Sequence, residues 1–462
     1  MDAVERESRR QRAASLLPGL AEAGVTAVAT TFVDNSGITR VKTVPLDRFP
    51  HSAAWGVGAS TSFDYFRFDD WLAAPPDGRA PVGDVRILPD VGRVVPLAAQ
   101  PGWAWTPGER YDQDGAPHPQ CSRQLLRRQC DALAAEGFSV KAAFEIEWVL
   151  SAGDGDAFVP AASGPGYGMS RLISVSDYAR DLLDALDRQD VEVVQFHPEY
   201  ASGQLELSVE AGGPIEAADT AVLVRSTIRA VGQQHGLRTS FSPKVEVHGV
   251  GNGGHVHLSL WRDVSSGGQN LMASGDGAYG LTEAGEAFAA GILDRLPALL
   301  AIGAPSVASY LRLVPSHWAG VFGCWGLENR EAAVRMVTGS AGEREHTANL
   351  EVKCFDLTAN PYLVLAGLLA AGAEGLAAES RLPEPVEVDP AVLPPEVLDQ
   401  RGIRRLPTSL VEAAAALAAD DVLRGRLGSA LVDALLVVRA SESELFADAS
   451  TDDVVRAFRW VH

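Results

Sequence analysis

The sequence predicts an α+β fold, with a small β-rich domain over residues 1–108 and a larger domain of mixed strands and helices over residues 109–462. Three observations carry this reading. A chain of 462 residues exceeds what one small core supports. Four separated segments, at 142–150, 203–210, 253–261 and 349–355, alternate apolar and polar residues with the period of a strand. Between them lie stretches with apolar residues at helical spacing and recognisable start and stop signals.

Along the chain, a first helix precedes AVATTFV at 27–33, the polar turn DNSG and ITRVKTVP. These read as a hairpin in which Gly37 is free to take positive φ. Residues 56–107 are rich in Gly, Pro, Asp and Trp with little helical period, which completes the β-rich domain. SRQLLRRQCDALAAEGF predicts a helix with an N-cap at Ser122 and a stop at Gly137. A second helix starts near Ser176, and EAADTAVLVRSTIRAVGQQHG makes a third that ends at Gly236. The stretch PYLVLAGLLAAGAEGLAAE from Pro361 is interrupted by Glu374 and too short to span a bilayer, so it reads as a buried helix. The Ala-rich tail after Ser409 is helical in pattern.

A hydrophobic fraction of 46% and a charged fraction of 21% are those of an ordinary globular protein. The net charge of -21, from 60 acidic and 39 basic residues, argues against a nucleic-acid-binding surface and favours cationic or small polar partners. Cys121, Cys130, Cys324 and Cys354 show neither paired-ligand spacing nor a disulfide framework, which fits a reducing cytoplasm. The first residues are charged throughout and lack the apolar core of a signal peptide, so no membrane association is expected.

The strand segments also carry the chemistry. Alternation puts Phe144, Ile146 and Trp148 on one face and Glu145 and Glu147 on the other. It separates Glu206 from Leu205, Leu207 and Val209, and His255, His257 and Ser259 from Val256, Leu258 and Leu260. It likewise parts Glu351 and Lys353 from Leu350 and Val352, and HPEYASGQLE adds Glu199 across a turn. A lone Glu-x-Glu or His-x-His is ordinary strand decoration, whereas six candidate ligands on strand faces are not. Donors that are mainly carboxylate, with imidazole and no thiolate, suit Mg²⁺ or Mn²⁺ rather than zinc. Such ions bridge phosphate oxygens, and Arg312, Arg330 and Arg335 are available for an anionic substrate.

The order of motifs, DNSGITRVK, FEIEW, HPEYASGQLE, GNGGHVHLSLW, RLVPSHWAG, LENREAAVR, NLEVK and NPYLVLAGLLAAG, resembles the glutamine synthetase family over nearly the whole chain. The resemblance implies a β-grasp-like N-terminal domain and a catalytic domain built on a curved antiparallel sheet. It implies a homo-oligomer, a dodecamer of two hexameric rings. ATP would phosphorylate the γ-carboxylate of glutamate, and an amine would displace the phosphate. Glu147, Glu199 and Glu206 would hold one metal, and Glu145, His255 and Glu351 a second. His257 and Ser259 would contact ATP, Gly251 would hold glutamate, Arg312 would bind its carboxylate, and Arg330 and Arg335 would neutralise phosphate.

The sequence departs from the family where ammonium binds. The glutamate that follows the Arg-Leu-Val-Pro motif is replaced by Trp318, and an N-terminal aspartate by Gly58 or Ala59. An ammonium ion stripped of water needs a partner charge, whereas Trp offers an apolar wall or a cation-π face to an amine that carries carbon. The pattern resembles the γ-glutamyl amide synthetases, with ethanolamine the preferred small primary amine, because a replaced acid removes a partner for the distal cation of a diamine. A γ-glutamylpolyamine synthetase is the alternative, with Asp64, Asp69 and Asp70 as partners for putrescine or spermidine. An ammonium-using glutamine synthetase and an inactive regulatory relative follow. Lys353 and Asn349 stand where the family has arginines, and Lys353 keeps the charge without the bidentate fork. Ala391 occupies the place of a tyrosine that is adenylylated in some bacterial members, which argues against that control.

Overall fold

The computed structural model describes residues 1–75, 78, 82–262 and 268–462, so residues 76, 77 and 79–81 of the Gly- and Pro-rich stretch lie outside the described residues. The predicted hairpin is present. Ala27–Val33 and Thr39–Pro45 pair antiparallel, and in the turn Asp34 Oδ1 accepts from the N–H groups of Ser36 and Ile38, each at 2.9 Å. Gly37 takes φ +74°, and a Cβ at this position would lie 1.7 Å from the carbonyl oxygen of Thr358. Both the turn and the contact with the larger domain therefore require glycine.

Among the described residues this sheet runs in the order Thr39–Pro45, Ala27–Val33, Trp103–Tyr111, Asp84–Pro89 and Val57–Ser60. Trp103–Tyr111 lies parallel to Ala27–Val33 and crosses residue 108, so the first sheet continues past the boundary read from the sequence. A two-residue strand at Val95–Pro96 joins its edge.

The second sheet is larger. Its order is Arg404–Arg405, Phe322–Leu327, Ala332–Val337, Asn349–Val352, Val256–Arg262, Phe138–Ser151, Gln204–Val209 and Val193–Pro198. Pairing is antiparallel except between Phe322–Leu327 and Ala332–Val337, which are parallel. All four strands read from the sequence are here, with Ile146, Trp148, Leu207, Leu258 and Leu350 essentially inaccessible. Their apolar face rests on helices, including Pro214–Gln234, which packs on Phe138–Ser151. The opposite face carries the polar residues.

The apolar stretch from Pro361 forms the helix Pro361–Ala377, buried among Glu283–Gly303, Ser122–Ala135 and Pro214–Gln234. Its N-cap joins the domains. Asn360 Oδ1 accepts from Tyr362 and Leu363 N–H, while its amide donates to the carbonyls of Val33 and Asp34 in the hairpin. The tail after Ser409 is helical as expected. No described helix is long and apolar enough to cross a membrane.

The helix read from Ser176 begins there, whereas the N-cap of the helix before Gly137 differs from the sequence reading. In Ser122–Ala135 the N-cap is Cys121, and Ser122 is the first helical residue. Cys121 is fixed there because its carbonyl accepts from Leu125 N–H at 2.9 Å and its Sγ from Arg110 N–H at 3.2 Å, a tertiary contact that outweighs the capping preference of serine. The helix at Ser176–Asp187 is preceded by a one-turn helix, Met169–Ser174, too short to show a period.

A buried ion cluster fastens the first sheet to the helices. Arg123 bonds both oxygens of Asp219 at 3.0 and 2.9 Å, Glu109 at 2.7 Å and Asp90 at 2.7 Å, and Tyr362 Oη donates to Asp219 at 2.7 Å. Arg127 also pairs with Glu109 and Arg93 approaches Asp219, but Arg123 alone of these bonds all three carboxylates, and its removal takes the bidentate partner from the fully buried Asp219. Arg123→Leu is expected to lower unfolding stability by about 3–5 kcal/mol, measured by urea denaturation; a loss under about 1 kcal/mol would show that the cluster is dispensable.

Candidate active site

Strand register assembles the site. Glu206 lies directly across from Glu147 on one side and from His197 on the other. Glu351 lies across from His257 on one side and Arg335 on the other. Adjacent strands stand about 5 Å apart, so residues at matching register on one face must touch. The resulting cavity has a volume of about 790 Å³ and is lined by Glu145, Glu147, Glu199, Glu206, His255, His257, Ser259 and Arg312, among others.

The predicted ligands form one continuous chain of contacts. His255 Nδ1 is 2.7 Å from Glu145 Oε1 and 3.3 Å from Glu351 Oε1, and its Nε2 is 3.8 Å from Glu147 Oε1. His257 Nε2 is 3.5 Å from Glu145 Oε2. At the other end His197 Nε2 is 3.5 Å from Glu206 and 3.8 Å from Glu199. Donor atoms gather as Glu145, His257 and Glu351, as Glu145, Glu147 and His255, and as His197, Glu199 and Glu206. The grouping by resemblance put Glu147 with Glu199 and Glu206, and Glu145 with His255 and Glu351; the donor atoms here gather Glu147 with Glu145 and His255, and bring in the imidazoles of His257 and His197.

The electrostatics show what this face lacks. Burial, then the carboxylates of Glu145, Glu147 and Glu199, push the Glu206 carboxyl up to about 11. Burial likewise raises Glu147. Burial opposes ionisation of Glu145 too, yet His255 and His257 outweigh it and hold that carboxyl well below the usual range. Glu351 is also held low: burial works against it, and Lys353, His257 and His255 prevail. His197 Nδ1 is buried without a hydrogen-bond partner. Carboxylates that repel one another beside an unpartnered imidazole suit hard divalent cations, so the donor set fits the expected ions.

The basic residues take distinct positions. Arg312 ends the short helix Ser309–Arg312 and is buried, with Nη2 3.0 Å from His255 Nε2 and 3.1 Å from the Lys353 carbonyl oxygen, and Nη1 3.2 Å from that of Phe355. Arg335 bonds Glu351 at 2.8 Å and also Glu328, while Arg330 is exposed at the cavity rim. Lys353 is buried and spends its ammonium on Glu351 Oε1 at 2.8 Å, orienting a candidate ligand. Asn349 Oδ1 accepts from His257 Nδ1 at 2.9 Å. Ser259 lines the cavity and accepts from Trp261 Nε1 at 2.7 Å.

Gly251 needs its lack of a side chain: a Cβ would lie 1.9 Å from the carbonyl oxygen of Pro243. Its own carbonyl accepts from Gln204 Nε2 at 3.2 Å, and the same amide donates to Glu147 Oε2 at 2.7 Å. Trp318 is at the mouth, 42% exposed, with its ring edge-to-face with Tyr200 at a centroid distance of 5.2 Å. Tyr167, also at the mouth, meets His197 edge-to-face at 6.0 Å.

His197, Gln204, Tyr167 and Tyr200 were not singled out in the sequence, although His197 precedes Glu199, and Gln204 precedes Glu206, by the strand period of two. Conversely, the acids considered for a polyamine are engaged elsewhere. Asp64 is buried on Arg110 at 2.5 Å, Asp69 pairs with Arg67 at 2.8 Å, and Asp70 with Arg40 at 2.6 Å. None of them lines this cavity within the chain.

Comparison with known proteins agrees with this site. The model of the glutamine synthetase catalytic domain matches residues 119–457. The chain is 53% identical over 453 residues to the γ-glutamylpolyamine synthetase GlnA3 of Streptomyces coelicolor, covering 97% of this chain and 96% of that protein. It is 34% identical over 296 residues to the glutamine synthetase of Methanocaldococcus jannaschii, covering 64% of this chain and 63% of that one. A solved glutamine synthase homologue superposes with a TM-score of 0.83 at 33% identity, covering 95% of this chain and 99% of that chain. GmaS in complex with ADP superposes with a TM-score of 0.82 at 27% identity, covering 96% and 98%. The match of the catalytic-domain model over most of the chain and the 53% identity to GlnA3 establish that the chain belongs to the glutamine synthetase family of ATP-dependent ligases.

Proposed function

We propose that the chain joins the γ-carboxylate of glutamate to a terminal amine of a polyamine, with ATP converted to ADP and phosphate. The observation that carries this reading is the similarity to a γ-glutamylpolyamine synthetase across nearly all of both chains. The cavity wall supports it: Glu210 lies with Tyr167, Tyr200 and Trp318 around the same space, and such walls attract and desolvate organic cations. The ethanolamine preference rested on a missing acid in one loop. Glu210 supplies an acid that no metal claims, and with the similarity above the polyamine is the better-supported amine.

Glu145 and Glu351 with His255 and His257 would hold one divalent ion, and Glu199 and Glu206 with Glu147 another. When bound, Mg²⁺ or Mn²⁺ supplies charge neutralisation for phosphoryl transfer. Arg330 and Arg335 add positive charge for the transferred phosphate, His257 and Ser259 face the nucleotide, and Arg312 with the Gly251 segment holds glutamate. Lys353 orients Glu351, and Gln204 orients Glu147. Trp318 and Tyr200 screen the acyl phosphate from water while the amine approaches. The assembly would be a dodecamer of two hexameric rings.

Phosphate release from ATP with glutamate and Mg²⁺, coupled to mass detection, tests the amine. Spermidine or putrescine is expected to be converted to its γ-glutamyl amide in preference to ethanolamine and ammonium. Glutamine as the main product would overturn the reading, and preference for ethanolamine would restore the alternative. Glu145→Ala is expected to abolish metal-dependent phosphate release by every amine, and retained turnover would remove that residue from the mechanism.

The ions can be tested without turnover. Mg²⁺ or Mn²⁺ at about 100 times its Kd is expected to stabilise the protein by about 2.7 kcal/mol, read as a rise in thermal midpoint. Glu206→Gln should leave the midpoint of the metal-free protein close to wild type near neutral pH, because burial and the neighbouring acids already keep that carboxyl protonated, and should reduce the gain from metal. An unchanged metal response in that variant would exclude Glu206 as a ligand.

A further inference from the structure

His317 and Trp318 line one side of the cavity, and the backbone around them is unusual for its composition. Ser316 and Trp318 are not glycines, yet both occupy the left-handed region, with φ of +58° and +55°. Such conformations persist only where surrounding contacts over-determine them. The contacts come from one side chain. Glu331 Oε1 accepts from Trp318 N–H at 2.7 Å, and its Oε2 from Ser316 N–H at 3.1 Å.

Glu331 is only 9% exposed and forms no ion pair among the described residues. Burial raises its carboxyl above the ordinary range. A desolvated carboxylate without a cation needs other donors, and here they are the two loop amides. Glu331 is itself fixed, since its own N–H donates to Asn329 Oδ1 at 3.0 Å. A second tether, Ser316 Oγ to Asp389 at 2.7 Å, holds the loop from its outer side. Across the mouth, Tyr200 donates its N–H to Glu199 Oε2 at 2.8 Å and presents its ring to Trp318.

We propose that Glu331 is a positioning residue for amine specificity: its carboxylate clamps the main chain at Ser316 and Trp318, and thereby presents the Trp318 ring to Tyr200 as the aperture through which an organic amine reaches the acyl phosphate. Glu331 does not line the cavity and does not touch the reacting atoms. The inference rests on the reading of Trp318 as the wall of the amine site. It does not depend on which organic amine is used.

Steady-state kinetics of Glu331→Ala, Glu331→Gln, Trp318→Ala and the double variant Glu331→Ala with Trp318→Ala test it, with thermal midpoints recorded for each. Losing two hydrogen bonds to a charged group should raise the KM for the amine about tenfold in Glu331→Ala. The KM values for ATP and glutamate should stay within about twofold, the split that distinguishes positioning from general damage. Glu331→Gln keeps one acceptor oxygen and should fall between wild type and Glu331→Ala. The double variant should be no worse than Trp318→Ala alone, because the two residues act through one aperture.

Each other outcome overturns the proposal in a recognisable way. If Trp318→Ala raises the amine KM but Glu331→Ala and Glu331→Gln do not, the wall stands and Glu331 does not position it. If Trp318→Ala leaves the amine KM unchanged, the wall reading fails and the proposal fails with it. Equal rises in all three KM values on changing Glu331 would assign it a general structural role. Should Glu331→Ala not fold, the near-isosteric Glu331→Gln supplies the same comparison.

Discussion

The concentration of carboxylates on one face of a buried sheet is the constraint on which the rest of this structure depends. Matching register places Glu206 opposite Glu147, and Glu351 opposite His257 and Arg335. Water would screen such a cluster at a surface, but here Glu147, Glu206 and Glu351 are largely withdrawn from it. Each end of the cluster answers the repulsion differently. Glu351 is neutralised by Lys353 and Arg335 within the chain. Glu206 has neighbouring acids on several sides and only His197 for company. That asymmetry leaves one end of the site dependent on cations from outside and the other partly satisfied by the chain itself.

Holding like charges together requires a scaffold that cannot relax. The apolar faces of the same strands supply it, because the residues alternating with the ligands, such as Ile146, Trp148, Leu207 and Leu350, are packed without solvent contact. A slip by one residue would bury the acids and expose the core, so the register that builds the site is the register that buries the apolar face. The first domain is joined to this scaffold by apolar packing, with Val33, Leu97, Ala99 and Trp105 in the main core and Phe68 against Phe446 and Phe458, and by polar contacts that include the Asn360 side chain, the close approach at Gly37 and the Arg123 cluster.

Much of this was legible in the sequence because period-two alternation is a local property. The four ligand strands, the hairpin around Gly37 and the buried helix from Pro361 follow from spacing and turn chemistry within a few residues. What was not legible is tertiary. The partners of Asp64, Asp69 and Asp70 cannot be read from a run of acidic loop residues, and the structure pairs them with Arg110, Arg67 and Arg40, away from the cavity of their own chain. The role of Gln204 depends on Glu147, brought close by strand pairing. Cys121 displaced Ser122 as the helix cap because Arg110 N–H reaches its sulfur. The ligand residues were thus visible one by one, while their grouping, with His197 and His257 included, needed the sheet.

The aromatic mouth and the acidic floor divide the work of an amide-forming ligase between them. On the proposed reading the floor and the arginine rim would serve phosphoryl transfer, and the mouth would admit an amine while limiting water. The central claim is that the γ-carboxylate is activated as an acyl phosphate before the amine attacks. The most direct measurement is isotope transfer from glutamate carrying ¹⁸O in its γ-carboxylate, with ATP, Mg²⁺ and spermidine, followed by mass analysis of the released phosphate. The account predicts that one labelled oxygen passes from the carboxylate to each phosphate as the γ-glutamyl amide forms. Amide formation with unlabelled phosphate would contradict it.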